Sequence, residues 1–197
     1  MDRSIVKKKH QLHQTERNII LGFISASSLN DRRKGFDILE DSLLKLSPEL
    51  LTRIKLLIAG KEFSSNEVDS RIMSIHYGNL KTETELNEYY NLCDAVVIPS
   101  RIDNLPQTAT EAQASGCPVV ISGVGGCRET VNEGKSGWVF KLDNNDLARI
   151  LSKIFNEENL LSEARKHAAI YARERWNQEK LVNEYIDFQT ELFSEID

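Results

Sequence analysis

Short runs of apolar residues alternate along the chain with longer stretches in which apolar residues return at the spacing of a helix. Short, continuous apolar runs are typical of strands that are buried on both faces of a parallel sheet. Six runs predict six such strands, at residues 18–25, 54–59, 71–76, 95–98, 118–122 and 138–140. We expect Gly78 to form a turn after the third of them.

The stretches between these runs predict helices. Helical patterns cover residues 36–46, 82–91, a segment that begins near Gln107, one that opens at Cys127, and 145–175 followed by 176–193. Strands that alternate with helices predict an α/β fold with a doubly wound, Rossmann-like parallel sheet. The chain then divides into a polar linker or tail at 1–17, one domain at 18–175 and an extra C-terminal helix at 176–197.

Composition narrows the class of protein. A formal net charge of −5 argues against nucleic acid as a partner, because a basic face would be expected there. The three cysteines, Cys93, Cys117 and Cys127, have neither an even count nor CxxC spacing, which indicates reduced, buried thiols in the cytoplasm. No apolar run reaches the roughly 18 residues of a membrane span, no signal peptide opens the chain, and no residue set has the spacing of a zinc site.

The most informative stretch is 99–120, where a predicted strand ends in a loop that carries Asp103 and a helix then carries Glu111 one turn from its start. The carboxyl ends of strands that lead into helix N-termini are where open α/β sheets bind nucleotides. The backbone N–H groups of Asn104, Leu105 and Gln107 are available to a phosphate at such a position.

Asp103 and Glu111 would repel that phosphate, so they make more sense as acceptors for sugar hydroxyl groups. The pattern is therefore consistent with a ligand that joins a sugar to a phosphate. The alternative is an Asp-initiated turn followed by a solvated helical glutamate, since acidic residues are common near helix starts.

Basic residues at the start of the first predicted helix form a second candidate. Arg32, Arg33 and Lys34 lie where cations are electrostatically unfavourable unless an anion joins them. They indicate either a phosphate site or an ordinary basic surface turn. His76 ends the third predicted strand at the same sheet edge, and a lone histidine is more often structural than a ligand.

Four blocks of residues, in order, resemble the C-terminal, donor-binding half of the group 1 glycosyltransferases, which have the GT-B architecture. They are the Lys34-Gly35 loop; Gly78 before a helix that carries Tyr89-Tyr90 and leads to Cys93-Asp94-Ala95; the 99–120 stretch; and Gly125-Gly126 with Glu129, Gly134 and Gly137. The resemblance covers residues 18–195.

The resemblance implies a retaining enzyme of the hexosyltransferase type that uses a nucleotide-sugar donor, a UDP-sugar rather than a GDP-sugar, and neither cofactor nor metal. It places Asp103 at the transferred sugar, Glu111 at the ribose and Lys34 at the diphosphate. It places the helix-start amides at Asn104, Leu105 and Gln107 near phosphate, and the His76–Gly78 turn near the base.

Two departures from the family pattern concern these same residues. The first acid is usually glutamate followed by a Gly-aromatic-Gly sequence, whereas here Asp103 precedes Asn104-Leu105-Pro106, as in exopolysaccharide-type transferases. The Gly-Arg pair expected after the first strand is absent, and Arg32 or Arg33 is the candidate to replace its cation.

A third departure is that this sequence contains no acceptor-binding domain. We therefore expect a donor-binding domain that is inactive alone, from an enzyme of surface polysaccharide or lipopolysaccharide synthesis. The other domain would bind an acceptor sugar or lipid-linked sugar, and the full enzyme would associate peripherally with a membrane. Apolar residues after Arg175, such as Trp176 and Phe188, would pack towards that domain, or alternatively cap this domain's own core. The rival function is a non-catalytic nucleotide-sugar-binding subunit or sensor.

Overall fold

The computed structural model describes residues 18–60, 67–157 and 159–194. Its six strands are β1 (Ile19–Ser25), β2 (Ile54–Gly60), β3 (Ser74–Gly78), β4 (Ala95–Ile98), β5 (Val119–Ser122) and β6 (Gly137–Phe140). Its helices are α1 (Phe36–Leu43), α2 (Pro48–Arg53), α3 (Glu83–Leu92), α4 (Gln107–Ala114), α5 (Asn144–Asn156), α6 (Leu160–Arg175) and α7 (Gln178–Ser194), with a 3-10 helix at Gly125–Thr130. The predicted linker at 1–17 lies outside the described residues.

The six strands form one parallel sheet in the order β3-β2-β1-β4-β5-β6. The chain fills one half of the sheet from β1 outward to β3, then returns to place β4 on the other side of β1. The strand order therefore reverses between β1 and β4, which is the position where such sheets leave a ligand-binding crevice at their carboxyl edge. The predicted doubly wound α/β fold is confirmed.

Two apolar layers cover the faces of the sheet. Alternating residues of β1 point to opposite layers: Leu21 and Phe23 pack with α1 and α5, whereas Ile20 packs with α3 and α4. Tyr89 and Tyr90 of α3 are fully buried in the second layer. The long apolar strand runs therefore arise from burial on both faces.

Several predicted boundaries were wrong for local reasons. The third strand is Ser74–Gly78, because the Asp69 carboxylate accepts a hydrogen bond from the Arg71 backbone N–H and makes a turn there, and Gly78 ends the strand. The helical pattern at 36–46 ends at Leu43, and the short helix α2 went unpredicted. The segment predicted to open at Cys127 is the 3-10 helix.

The helical stretch predicted at 145–175 is two helices. α5 ends at Asn156, and α6 begins after Asn159, whose backbone is left-handed with φ 67°. Asparagine tolerates that conformation better than most residues, so the chain can turn sharply here.

The last helix, α7, is exposed along its length. Its large apolar side chains are all more than a third accessible: Leu181, Val182, Tyr185, Ile186, Phe188, Leu192 and Phe193. The alternative prediction, that these residues cap this domain's own core, is therefore wrong for α7, whereas Trp176, just before α7, is half-buried. Among the described residues, no helix is both long and apolar enough to cross a membrane.

Candidate functional site

The reversal of strand order between β1 and β4 opens a narrow cleft at the carboxyl edge of the sheet. The cleft is lined by residues from the ends of β1 and β4, from the loops that follow these strands and from the start of α4: Phe23, Ile24, Lys34, Val97, Ile98, Pro99, Ser100, Asp103, Pro106 and Thr108. Two of the candidate blocks predicted from the sequence, the Lys34-Gly35 loop and the 99–120 stretch, thus contribute to one site, although they are far apart in the chain.

The start of α1 is held against the loop that follows β4. Gly35 has φ 70°, and a Cβ added there would lie 2.0 Å from the Pro99 carbonyl oxygen. Only glycine allows this approach without strain. The backbone N–H of Arg101 donates to the Arg33 carbonyl oxygen at 2.7 Å, which joins the two loops a second time.

The Arg101 side chain adds a third connection between these loops. Its guanidinium donates to both carboxylate oxygens of Asp37 at 2.7 and 2.6 Å, and to the Arg32 carbonyl oxygen at 2.8 Å. This bidentate contact fixes geometry as well as charge. Arg101 was not among the predicted site residues, because no local signal could have paired it with a residue 64 positions away.

Lys34 and Asp103 meet at the mouth of the cleft. The Lys34 Nζ lies 3.6 Å from Asp103 Oδ2, and the lysine side chain remains 40% exposed. An ammonium group carries three donors, so Lys34 retains hydrogen-bonding capacity for an anion in the cleft.

The Asp103 loop is supported from its other side by two glycines. A Cβ added at Gly125 would lie 2.4 Å from the Asp103 carbonyl oxygen, and one added at Gly126 would lie 2.2 Å from that of Asn104. The Gly-Gly loop, a weak signal in the sequence, therefore lets two backbone segments approach closely.

The N-terminus of α4 faces the same region and has no side-chain cap. Gln107 begins the helix as predicted, after Pro106 at the cap position. Asn104, Leu105 and Gln107 are exposed there. The first-turn amides of such a helix end attract an anion.

Ser100 supplies an independent observation at this site. Its side chain lines the cleft and is 1% exposed, and within the described residues its hydroxyl oxygen has no hydrogen-bond partner. A buried hydroxyl is costly when left unpaired. The cleft that Lys34 lines therefore also contains an unused polar group.

Glu111 lies one turn into α4, as predicted. The hydroxyl of Tyr90 on α3 donates a hydrogen bond to Glu111 Oε2 at 3.0 Å. Burial raises the pKa of Tyr90 well above its ordinary value, with the nearby Glu111 charge adding to the effect, so the hydroxyl keeps its proton.

The remaining candidate residues lie at the same edge but away from this cleft. His76 and Gly78 are at the end of β3, two strands from β1, where the exposed His76 places Nε2 3.4 Å from the Gly60 carbonyl oxygen. Arg33 is exposed and forms a bidentate pair with Asp31, and its hydrogen bonds lower the pKa of that carboxyl to about 2.

Across 18–60, 67–157 and 159–194, no group of three His, Cys, Asp or Glu side chains could hold a metal ion.

Comparison with known proteins gives consistent matches. The family described as "Glycosyl transferases group 1" matches residues 5–175. An uncharacterized glycosyltransferase of Methanocaldococcus jannaschii is 31% identical over 159 residues, which cover 73% of this chain and 40% of that protein. In each of the first curated relatives, the matched part is less than half of the relative's length.

Two solved structures have the same fold. Anabaena HepE, crystallised with UDP and glucose, matches 96% of this chain and 53% of its own with a TM-score of 0.75 and 19% identity. The C-terminal domain of a group 1 glycosyl transferase from Francisella tularensis matches 90% of this chain and 94% of its own, with a TM-score of 0.69 and 14% identity. This chain thus spans about half of the longer structure and nearly all of the isolated domain.

Proposed function

This chain belongs to the group 1 glycosyl transferases, and from that premise we propose that its cleft between β1 and β4 binds the diphosphate of a nucleotide-sugar donor. The observation that carries the proposal is the convergence of Lys34, the uncapped start of α4 and the unpartnered Ser100 hydroxyl on one cleft. A cation, oriented amides and a buried hydroxyl donor together suit a phosphate group.

We assign the remaining contacts as the resemblance to the family implies. Asp103, beside Lys34, accepts hydrogen bonds from the hydroxyl groups of the transferred sugar. Glu111, one turn into α4, accepts hydrogen bonds from the hydroxyl groups of the ribose. The His76–Gly78 end of β3 lies near the base. Arg33 contributes as a second cation only if its pair with Asp31 opens.

The arrangement suits donor cleavage because negative charge grows on the diphosphate as the glycosidic bond breaks. Fixed cations and helix-start amides stabilise that charge in the transition state. Lys34 and the amides of Asn104, Leu105 and Gln107 would supply this stabilisation without moving, since the connections at Gly35 and Arg101 hold their loops.

The UDP bound by the Anabaena protein favours uridine over guanosine as the base here. The full enzyme would be a retaining hexosyltransferase of surface polysaccharide or lipopolysaccharide assembly. We place the enzyme in the cytoplasm, which agrees with its three buried thiols. Its acceptor would be a sugar or a lipid-linked sugar, and its other domain would make peripheral contact with the membrane.

Residues 176–197 are proposed to pack towards that other, acceptor-binding domain. The support is the exposed apolar face of α7 and the fact that this chain spans about half of the Anabaena structure. Transfer requires an acceptor held against the donor sugar, so we expect this chain alone to bind donor and to transfer little or no sugar.

Calorimetric titration with UDP, GDP and their hexose conjugates tests the proposal. We expect saturable binding by one nucleotide, weakened about tenfold or more by Lys34→Ala or Glu111→Ala, because each removes a charged hydrogen-bond partner. Glu49→Ala, an acid-to-alanine change on α2 before β2, is the control and should leave affinity unchanged. A folded chain that binds none of these nucleotides contradicts the proposal.

A further inference from the structure

Three tyrosines form a row beneath the carboxyl edge of the sheet. Tyr77 on β3 packs edge-on against Tyr89, with ring centroids 5.4 Å apart, and Tyr89 packs edge-on against Tyr90 at 5.6 Å. Aromatic pairs favour this geometry. The row runs from the strand end assigned to the base towards Glu111, so it underlies the part of the site assigned to the nucleoside.

Tyr90 makes a direct polar contact from this row to a candidate site residue. Its ring is 1% exposed, and its hydroxyl lies 3.0 Å from Glu111 Oε2. A carboxylate only accepts hydrogen bonds, so the tyrosine is the donor. Within the described ranges we find no other hydrogen bond to this carboxylate, which leaves Oε1 to accept from a ligand.

The contact removes freedom from a side chain that would otherwise move. A half-buried glutamate on a helix surface samples several rotamers, and ordering it costs free energy when a ligand binds. Because α3 packs rigidly in the second apolar layer, the Tyr90 hydroxyl holds Oε2 in place before any ligand arrives.

We propose that Tyr90 is a positioning residue that orients Glu111 towards the ribose hydroxyl groups, and that this contact makes the site prefer ribonucleotides to 2′-deoxyribonucleotides. The inference rests on the proposed function, since it concerns the nucleoside end of the same donor site. An oriented acceptor that a deoxy analogue leaves unpaired discriminates against that analogue.

Tyr89 provides an internal comparison because it has the same side chain in the same layer but binds main chain. Its hydroxyl lies 3.0 Å from the Phe23 carbonyl oxygen and 2.8 Å from that of Leu57. It therefore connects β1 and β2, and in the described structure it makes no hydrogen bond to Asp103 or Glu111. Tyr89→Phe should reduce stability and leave nucleotide preference unchanged.

The experiment measures Kd for the diphosphate that the chain binds, UDP or GDP, and for its 2′-deoxy analogue. For the wild type we expect a preference of at least about tenfold for the ribonucleotide. Tyr90→Phe should weaken ribonucleotide binding about five- to tenfold and reduce the preference to about threefold or less. In the Glu111→Ala background, Tyr90→Phe should have no further effect on affinity.

Glu111→Asp is a second variant that weakens the same contact, in case Tyr90→Phe does not fold. It keeps the charge and leaves the buried ring untouched, yet withdraws the carboxylate from the Tyr90 hydroxyl, so it should also lower the ribonucleotide preference. Thermal unfolding of each variant establishes that the fold is intact.

The outcomes distinguish a failure of donor binding from a failure of the Tyr90 positioning role. If the wild type binds neither UDP nor GDP, the proposed function fails and this inference fails with it. If the wild type binds but Tyr90→Phe retains the full ribonucleotide preference, only the positioning role is overturned, and the proposed function stands.

Discussion

Two regions of the molecule have similar apolar patterns but differ in the burial of their apolar side chains. One is the sheet with helices α1 to α6, and the other is the terminal helix α7. Phe23 on β1 is 2% exposed and packs against Phe36, with ring centroids 5.2 Å apart. Phe188 on α7 is 57% exposed. A periodic pattern therefore predicts that a helix has an apolar face, but it does not identify the surface that will cover that face.

The same contrast separates stability from function along the chain. The sheet edge gathers Lys34, Asp103 and Ser100 from segments that have no local relationship, whereas the described part of α7 carries no candidate site residue. We therefore expect changes in the sheet to alter both folding and ligand binding, and changes on α7 to leave both nearly unchanged in this chain.

The largest expected difference lies between two phenylalanine truncations. Phe23→Ala should destabilise the chain by about 3–5 kcal/mol, since it leaves a cavity in a packed layer. Phe188→Ala should change the free energy of unfolding by less than about 0.5 kcal/mol. Urea unfolding followed by circular dichroism gives both values. Equal losses would show that α7 packs on this domain in solution.

Two glycine substitutions test the junction that builds the site. Gly35 and Gly134 have similar backbone angles, φ 70° and 73°. Of the two, only Gly35 lies so close to a neighbouring atom that an added Cβ would overlap it. Gly35→Ala should cost about 3 kcal/mol, and Gly134→Ala about 1 kcal/mol from backbone strain alone. Nucleotide affinity should fall only in the first variant.

A similar cost for both glycine variants, again from denaturant unfolding, would mean that the approach of α1 to the β4 loop is not required. In that case the sheet edge would be no more constrained than an exposed turn, and the contrast with α7 would weaken.

A smaller effect is expected from the Arg101–Asp37 pair. Arg101→Gln should lower stability by about 0.5–1 kcal/mol near pH 7, because the pair is partly exposed. The guanidinium hydrogen bond lowers the pKa of the Asp37 carboxyl, so the contribution of the pair is present above the carboxyl's unfolded value of 3.8 and is lost as pH falls through the folded value.

Unfolding measured from pH 7 down to pH 3 should therefore show the wild type and Arg101→Gln converging in acid. A stability difference that persists unchanged at pH 3 would contradict the electrostatic explanation and leave only the packing of the arginine stem.

The smallest expected effect is the chemical modification of the three thiols in the native chain. Cys93, Cys117 and Cys127 are all buried in the sheet domain, and burial raises the pKa of Cys127 to about 11. Since the thiolate is the reactive form, iodoacetamide at pH 8 should leave the native chain unmodified and alkylate all three residues in urea. Mass spectrometry would detect any thiol that the native fold exposes.

Much of the fold could be predicted because its strands are short, wholly apolar and separated by helices. Errors arose where a side chain ended an element locally, as Asp69 does before β3 and Asn159 does before α6. Such turns depend on single hydrogen bonds or backbone angles that an apolar pattern does not record.

The candidate site could be predicted only in part. Asp103, Glu111 and Gln107 lie in one contiguous stretch, and the sequence places them on a loop and a helix start. Arg101 and Tyr90 were not recognised as site residues, because their partners Asp37 and Glu111 lie 64 and 21 positions away. Long-range contacts of this kind become visible only once the sheet has brought the segments together.

Donor binding at the edge between β1 and β4 is tested most directly by an NMR titration of the ¹⁵N-labelled chain with UDP. If the donor binds between β1 and β4, we expect saturable shifts of the Lys34, Gly35, Asn104, Leu105 and Gln107 amides, with the amides of α7 unmoved. Saturable shifts centred elsewhere, or no saturable shifts with either UDP or GDP from a folded chain, would contradict a donor site at the edge between β1 and β4.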